Sequence, residues 1–392
     1  MKIALSYDEL NAVLNFSSSI LSDKIVEDKM KNVIFIVSKD SVKVCFYNAL
    51  TFCRTELDRV TVENMDEGTS EFMFQVKFQD LSRVISGFSG LSKTTVSNME
   101  LEDVKGKIRV VVSEESIKEE DSRMSQKSVF YLNNVPLLEG ISKDLKTEFP
   151  EDGDIIPNTH IMLYVDSLLP LLSNDNASAI GSKLNFADDY VFMISSSLSV
   201  FFKNKLPDAF RGMTLGYSSV SFLRKLCDAG DLTVKRVDKY LCVSSGHTEA
   251  FMRYQPVKIR HQNYVSKYST ENGLLMNRLY LKDVLKRMGM VSPNGTFTVL
   301  DNGDLQVENE NFNQVIPVEK SKGDMNGVKF KVAVPTIEKI IVGKDAAFPE
   351  NLFMYVNKMG SGYSLFFSDT SGAWFSMTQV QYGRFLNGKY GN

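Results

Sequence analysis

This chain of 392 residues has few of the residue patterns that mark common chemistries. Its four cysteines, Cys45, Cys53, Cys227 and Cys242, include no C-x-x-C pair, which excludes a dense disulfide framework and argues for reduced, buried thiols. The three histidines, His160, His247 and His261, lack H-E-x-x-H spacing and a nearby cysteine, so a zinc centre is not expected. No G-x-x-x-x-G-K-[ST] loop is present, which removes the P-loop motors. Asp301-Asn302-Gly303-Asp304 lacks the spaced ligands and closing glutamate of a calcium loop and reads as a hairpin turn. The expectation is no metal, no cofactor and no catalysis.

Long apolar runs are missing too. Nothing approaches the ~18 to 20 apolar residues of a spanning helix, and the opening segment has no apolar stretch, so a cytoplasmic protein without a membrane partner is expected. Charge of one sign is scarce: 45 basic against 48 acidic residues give a net charge of −3. A polyanion would therefore have to meet a local basic surface, because the global field does not attract it. What is present is ordinary globular composition, 43% hydrophobic and 24% charged, in a chain long enough for roughly two to four cores.

Internal repetition organises the rest. A short strand ending in an apolar residue is followed by two polar or capping residues, an apolar residue, and two more apolar residues three and four positions on. The copies read Tyr7-Asp8-Glu9-Leu10 with Val13 and Leu14, and Phe78-Gln79-Asp80-Leu81 with Val84 and Ile85. Next come Val165-Asp166-Ser167-Leu168 with Leu171 and Leu172, and Tyr217-Ser218-Ser219-Val220 with Leu223, where Arg224 takes the last apolar place. The final two are Leu281-Lys282-Asp283-Val284 with Met288, where Arg287 replaces an apolar residue, and Val334-Pro335-Thr336-Ile337 with Ile340 and Ile341. Each reads as a strand entering a helix, since Asp, Ser or Thr caps a first turn, Pro335 suits the first helical position, and this spacing makes one apolar face.

Behind each helix the period changes to two, the mark of antiparallel strands. Val33 to Val37 turns at Ser38-Lys39-Asp40 into Val42, Val44 and Phe46, and Phe297 to Leu300 turns into Leu305 and Val307. Further hairpins are expected across residues 235–243 and across 353–367, the latter turning at Gly360-Ser361-Gly362. The unit is one strand, one helix and about three strands, and two units make a domain of common size. Three domains, 1–149, 150–258 and 259–392, fill the chain in an α+β fold. Residues 142–159 and 256–273 read as connectors, and residues 113–127, charged and serine-rich, as a hairpin loop within the first domain.

This organisation resembles the DNA polymerase processivity sliding clamps of bacterial type, three DNA-clamp domains in one chain. The resemblance rests on the six-fold pattern and spans nearly the whole sequence. It implies a homodimeric ring with helices lining a central hole and antiparallel sheets outside. It also implies sequence-independent binding of double-stranded DNA, and docking of DNA polymerase and clamp loader through short apolar peptide motifs. The longer loop in the first domain and the tail after Gln381 depart from compact members and suit a phage-encoded clamp.

Sliding requires loose contact with phosphates, so cations belong on the polar helix faces. Arg83, Arg224, Lys225, Lys282, Lys286, Arg287, Lys339 and Lys344 are the candidates. The first and third helices instead carry Asp8, Glu9, Asp166 and Asp175. The alternative for each cation is plain solvation of a helix surface. By position in the family, the strand 193–200, with Leu198 and Val200, and the last strand, with Phe375, Met377 and Val380, wall the partner pocket. The tail 382–390 either covers that pocket or extends it, and the alternative for these apolar residues is a sheet core. The rival reading of the whole chain is a scaffolding or virion protein of repeated sheet domains without DNA inside.

Overall fold

The computed structural model describes residues 1–21, 31–48, 50–65, 68–88, 94–117, 123–137, 145, 147–172, 183–195, 198–341, 350–359, 362–371 and 373–379. Among these, six helices follow the repeat: α1 (Tyr7–Leu21), α2 (Phe78–Ser86), α3 (Asn158–Leu168), α4 (Tyr217–Ala229), α5 (Arg278–Gly289) and α6 (Val334–Ile341). A single helical turn, Gln262–Val265, lies outside the pattern. The apolar stripe is buried in each, for example Leu10, Val13 and Leu14 in α1 and Leu81, Val84 and Ile85 in α2.

Two copies start earlier than the sequence pattern places them. α3 begins at Asn158, so its stripe is Ile161, Tyr164 and Val165, and the chain at Leu169–Leu171 has already tightened into a 3-10 turn. A stripe of period 3.6 nearly repeats after seven residues, and Val165, Leu168, Leu171 and Leu172 imitate the true register two turns late. α5 begins at Arg278, and its stripe Leu281, Val284 and Leu285 is intact, which removes the mismatch at Arg287. The 142–159 connector is correspondingly shorter, since it already contains strand Asp154–Ile156 and the start of α3. The 113–127 segment is mostly ladder: strand Lys107–Ile117 pairs with strand Arg123–Asn133 through Ile117 opposite Arg123.

By compactness the chain forms two units, one chiefly of Met1–Thr159 and Leu215–Gln255, the other chiefly of Ser178–Thr214 and Pro256–Asn392 with His160–Ser173. The first unit holds a five-stranded sheet in the order Val60–Glu63, Lys2–Leu5, Thr94–Val104, Lys107–Ile117, Arg123–Asn133. It also holds an eight-stranded sheet in which strand Thr51–Glu56 pairs antiparallel with strand Thr248–Arg253, Phe52 opposite Phe251. The second unit holds a ten-stranded sheet in which strand Leu198–Lys203 pairs with strand Trp374–Gln379, Val200 opposite Ser376. Its four-stranded sheet runs Phe312–Ile316, Leu305–Asn309, Asn294–Val299, Lys329–Ala333.

Each large sheet carries an apolar strap. In the first unit Leu137, Leu145 and Phe149 pack on Ile34, Ile36, Cys45, Phe52, Cys242 and Phe251. In the second, Val257, Ile259, Tyr264 and Val265 cover Phe192, Ile194 and Phe201. His261, buried in that strap, meets the Asp189 carboxylate at 2.6 Å and lies against Phe192.

Helix pairs are tied in the same way three times. The first residue of the first helix donates a hydrogen bond to a carbonyl in the last turn of the second: Tyr7 Oη to Ile85 O at 2.6 Å, Asn158 Nδ2 to Cys227 O at 2.9 Å, and Arg278 Nη1 to Ile341 O at 3.0 Å. The last carbonyls of a helix lack intrahelical partners, so a phenol, an amide or a guanidinium each answers the same need.

Candidate functional site

Of the cations singled out in the sequence, Arg83 on α2 and Lys286 and Arg287 on α5 are exposed. Arg287 also donates from Nε to the Asp283 carbonyl at 3.1 Å, which steadies the side chain along its own helix. Lys282 is half-buried, and Lys339 lies in α6. Lys344 and Asp175 fall outside the described residues. Arg224 is half-buried and ion-paired with Asp228 one turn on.

Lys225 departs most from expectation. Its ammonium donates to the carbonyl oxygens of Asn15 and Phe16, both at 2.9 Å, and so pins α4 to α1. Partial burial pulls its pKa below the usual lysine value. Phe16 and Phe222 meet edge to face beside it, centroids 5.4 Å apart, so the lysine belongs to a helix–helix contact. The acidic face of α1 is also in use, because the Glu9 carboxylate accepts the backbone N–H groups of Asp58 and Arg59.

The two strands chosen for the partner pocket are hydrogen-bonded neighbours, but their register divides the candidates. Val200 stands opposite Ser376 and Met377 opposite Ser199, so positions 200 and 377 fall on opposite faces of the sheet. Leu198 and Val200 share their face with Phe202, which packs against Tyr164 of α3 and against Trp374; both are buried, Val200 to 2% exposure. They are core residues, and a single pocket cannot include Val200 and Met377 together. Positions 375 and 377 share the other face with Phe201, on the side of the strap. Val380 and the tail 382–390 lie outside the described residues.

Burial pushes the Cys45 thiol far up, Cys53 up to about 12 and Cys242 up to about 11, so none is a nucleophile near neutral pH. No group of three or more potential metal ligands occurs among the described residues. No described helix is long and apolar enough to cross a membrane.

Free sheet edges are the feature that sequence reasoning missed. Strand Arg123–Asn133 ends the five-stranded sheet and strand Phe312–Ile316 ends the four-stranded one. Both expose apolar side chains, Val129 at 44% and Tyr131 at 60% on the first and Val315 at 40% on the second. The signal was available in the alternation of these strands, but not which strands would keep one side unpaired.

No protein-family model matches the sequence, and neither does any curated protein. Solved structures do. The DNA polymerase sliding clamp from Bacillus subtilis aligns with TM-score 0.75 over 98% of this chain and 99% of its own, at 10% identity. The fold is that of a sliding clamp. The beta subunit from DNA polymerase of Streptococcus pyogenes gives TM-score 0.72 at 11% identity, over 98% of this chain and all of that one. A DnaN sliding clamp from Pseudomonas aeruginosa, solved with griselimycin bound, gives 0.71 at 11% over 98% and 99%. At such identity the common property is the clamp architecture itself, an α+β chain of repeated strand–helix–sheet units.

Proposed function

We propose that the protein is a DNA sliding clamp: a head-to-tail homodimeric ring that encircles duplex DNA and tethers a polymerase. The reading rests above all on one pairing rule within the chain. Strand Thr51–Glu56, the third behind α1, pairs with strand Thr248–Arg253, the third behind α4. Strand Leu198–Lys203, the third behind α3, pairs with strand Trp374–Gln379, the third behind α6. Applied once more, the rule asks strand Phe312–Ile316, third behind α5, to pair with strand Arg123–Asn133, third behind α2. Both are sheet edges that expose apolar side chains, and a second copy supplies each with its complement. A heterologous contact of this kind closes when the rotation allows it, and two three-domain chains make six domains.

In this reading the domains are 1–149, 150–258 and 259–392, and α1 to α6 from both copies face the DNA. Arg83, Lys282, Lys286, Arg287 and Lys339 then supply mobile charge to phosphates, with Arg224 held partly by Asp228. The ring holds a bound polymerase at high effective concentration beside the primer, so modest affinity yields long processivity without catalysis by the clamp. Polymerase and clamp loader dock through short apolar peptides beside the last strand. The protein works on DNA in a bacterial cytoplasm, encoded by the cell or by a phage.

The decisive experiment combines sedimentation with retention on DNA. A dimer is expected that, once loaded by its clamp loader, stays on closed circles and runs off after linearisation. Tyr131→Asp with Val315→Asp should give folded monomers with unchanged circular dichroism that are never retained. A monomeric wild-type protein, or equal retention on linear and circular DNA, would overturn the reading.

A further inference from the structure

We infer that the ladder between strands Thr51–Glu56 and Thr248–Arg253 carries a docking pocket of its own, for an extended peptide whose apolar anchor is followed closely by a carboxylate. This goes beyond the clamp reading and stands on the pocket's geometry alone. The pocket lies in the first unit and is lined by Tyr47, Leu50, Phe52, Thr147, Tyr240 and Phe251, with Asn48 and Thr51 at its base. Phe52 and Phe251 stack across the ladder, centroids 5.3 Å apart and planes 17° from parallel, and form an apolar floor.

Its polar base is already satisfied. The Asn48 side chain donates to the Ile20 carbonyl and accepts from the N–H groups of Leu50 and Thr51, while the Thr51 hydroxyl is bonded to Ser219. An occupant therefore gains by filling volume, not by pairing these groups. The free volume is about 30 Å³, far below the ~300 to 1,000 Å³ of cofactor sites and enough for the tip of one side chain. A single anchor in a small aromatic pocket is the arrangement in which short peptides concentrate their binding energy.

Charge on the strand residues next to the lining selects the partner. Other cations here are matched: Arg54 on the ladder by Glu249, and Lys43 on the neighbouring strand Val42–Tyr47 by Glu56. Arg253 is exposed, stands opposite Tyr240 in register, has its backbone N–H on the Leu50 carbonyl at 2.7 Å, and has no carboxylate within 4.0 Å among the described residues. Lys239 lies over the Tyr240 ring, 5.6 Å from its centroid. Asp238 and Glu148 are the exposed acids nearby in sequence, on the turn and the strap. An exposed arginine whose backbone adjoins the lining residues Tyr240 and Leu50 favours a carboxylate next to the anchor, which a guanidinium can bind bidentately.

The probe is a fluorescein-labelled hexapeptide, Gly-Ser-Gly-Ser-Gly-Leu, with a free carboxylate, compared with its C-terminal amide, in fluorescence polarisation on the full-length protein. The free acid should saturate with Kd below about 1 mM and bind at least about fivefold more tightly than the amide. Thr147→Trp, at an exposed strap position, should fill the pocket and weaken binding about tenfold or more. Arg253→Gln should leave the acid and amide within about twofold of each other. Circular dichroism and the denaturation midpoint of both variants should match wild type, because both positions are exposed. Absence of saturable binding, or binding that Thr147→Trp leaves unchanged, overturns the proposal.

Discussion

Arg278 opens α5 and its guanidinium reaches the carbonyl of Ile341, the last residue of α6, at 3.0 Å while the side chain is almost wholly buried. Tyr7 and Asn158 hold the same place in the other two helix pairs. A buried charge depends on its partners far more than a phenol or an amide does, so the three ties should differ in strength.

Arg278→Ala should therefore destabilise the protein by about 3 kcal/mol, and Tyr7→Phe and Asn158→Ala by about 1 kcal/mol each. Urea denaturation followed by circular dichroism gives the order. Equal midpoints for the three variants would show that the buried guanidinium depends on its partner no more than the phenol or the amide does.

The cations of the helices should separate into two kinds. Lys286→Glu with Arg287→Glu removes exposed charge, so stability should change by less than about 0.5 kcal/mol per site, and the salt dependence of DNA retention should flatten by about two phosphate contacts. Lys225→Met removes the ammonium held by Asn15 and Phe16. It should cost about 1 to 2 kcal/mol of stability and leave the salt slope unchanged, read from retention assays at several salt concentrations.

Val200 and Met377 should also part company. Val200→Glu puts a charge into the core under α3 and should prevent folding or lower the melting temperature by more than about 5 °C. Met377→Glu acts on the opposite face of the ladder and should give a folded dimer that no longer stimulates its polymerase. Stimulation surviving in the folded Met377 variant would move the partner site away from the last strand.

The buried thiols set an alkaline limit. Cys45, Cys53 and Cys242 all have folded pKa values raised by burial, so the folded state keeps protons that the unfolded state gives up above about pH 8.5. Their stabilising contribution is complete below that pH and is lost as pH rises towards 11 to 12. The urea midpoint should be flat from pH 6 to 8 and fall at pH 9.5 and 10.5. Iodoacetamide at pH 8 should label none of the four cysteines within an hour in the native protein and all four in denaturant.

The local half of this fold was legible because it is written in periodicity. Helical stripes such as Leu10, Val13 and Leu14, hairpins such as 33–46 and 297–307, and the doubling of the unit all follow from apolar spacing and turn residues, which depend only on neighbours in sequence. The same spacing misled at α3 and α5. A 3.6-residue stripe almost repeats itself one and two turns on, and Asn158, where α3 begins, resembled a connector residue.

What needed the tertiary structure is everything decided by groups distant in sequence. Backbone N–H and C=O groups are the same at every residue, so no pattern in the chain says that Phe52 lies opposite Phe251, or that Val200 lies opposite Ser376 and thereby leaves position 377 on the other face. The same indifference hides which strand edges stay open. A lysine on a polar helix face likewise reads as solvent-facing or phosphate-facing until a second helix arrives, and in Lys225 the carbonyls of Asn15 and Phe16 settled its role. Sequence by itself determined the repeated unit and its α+β class; long-range pairing of chemically uniform backbone decided the continuous sheets, the free edges and the faces on which the candidate sites lie.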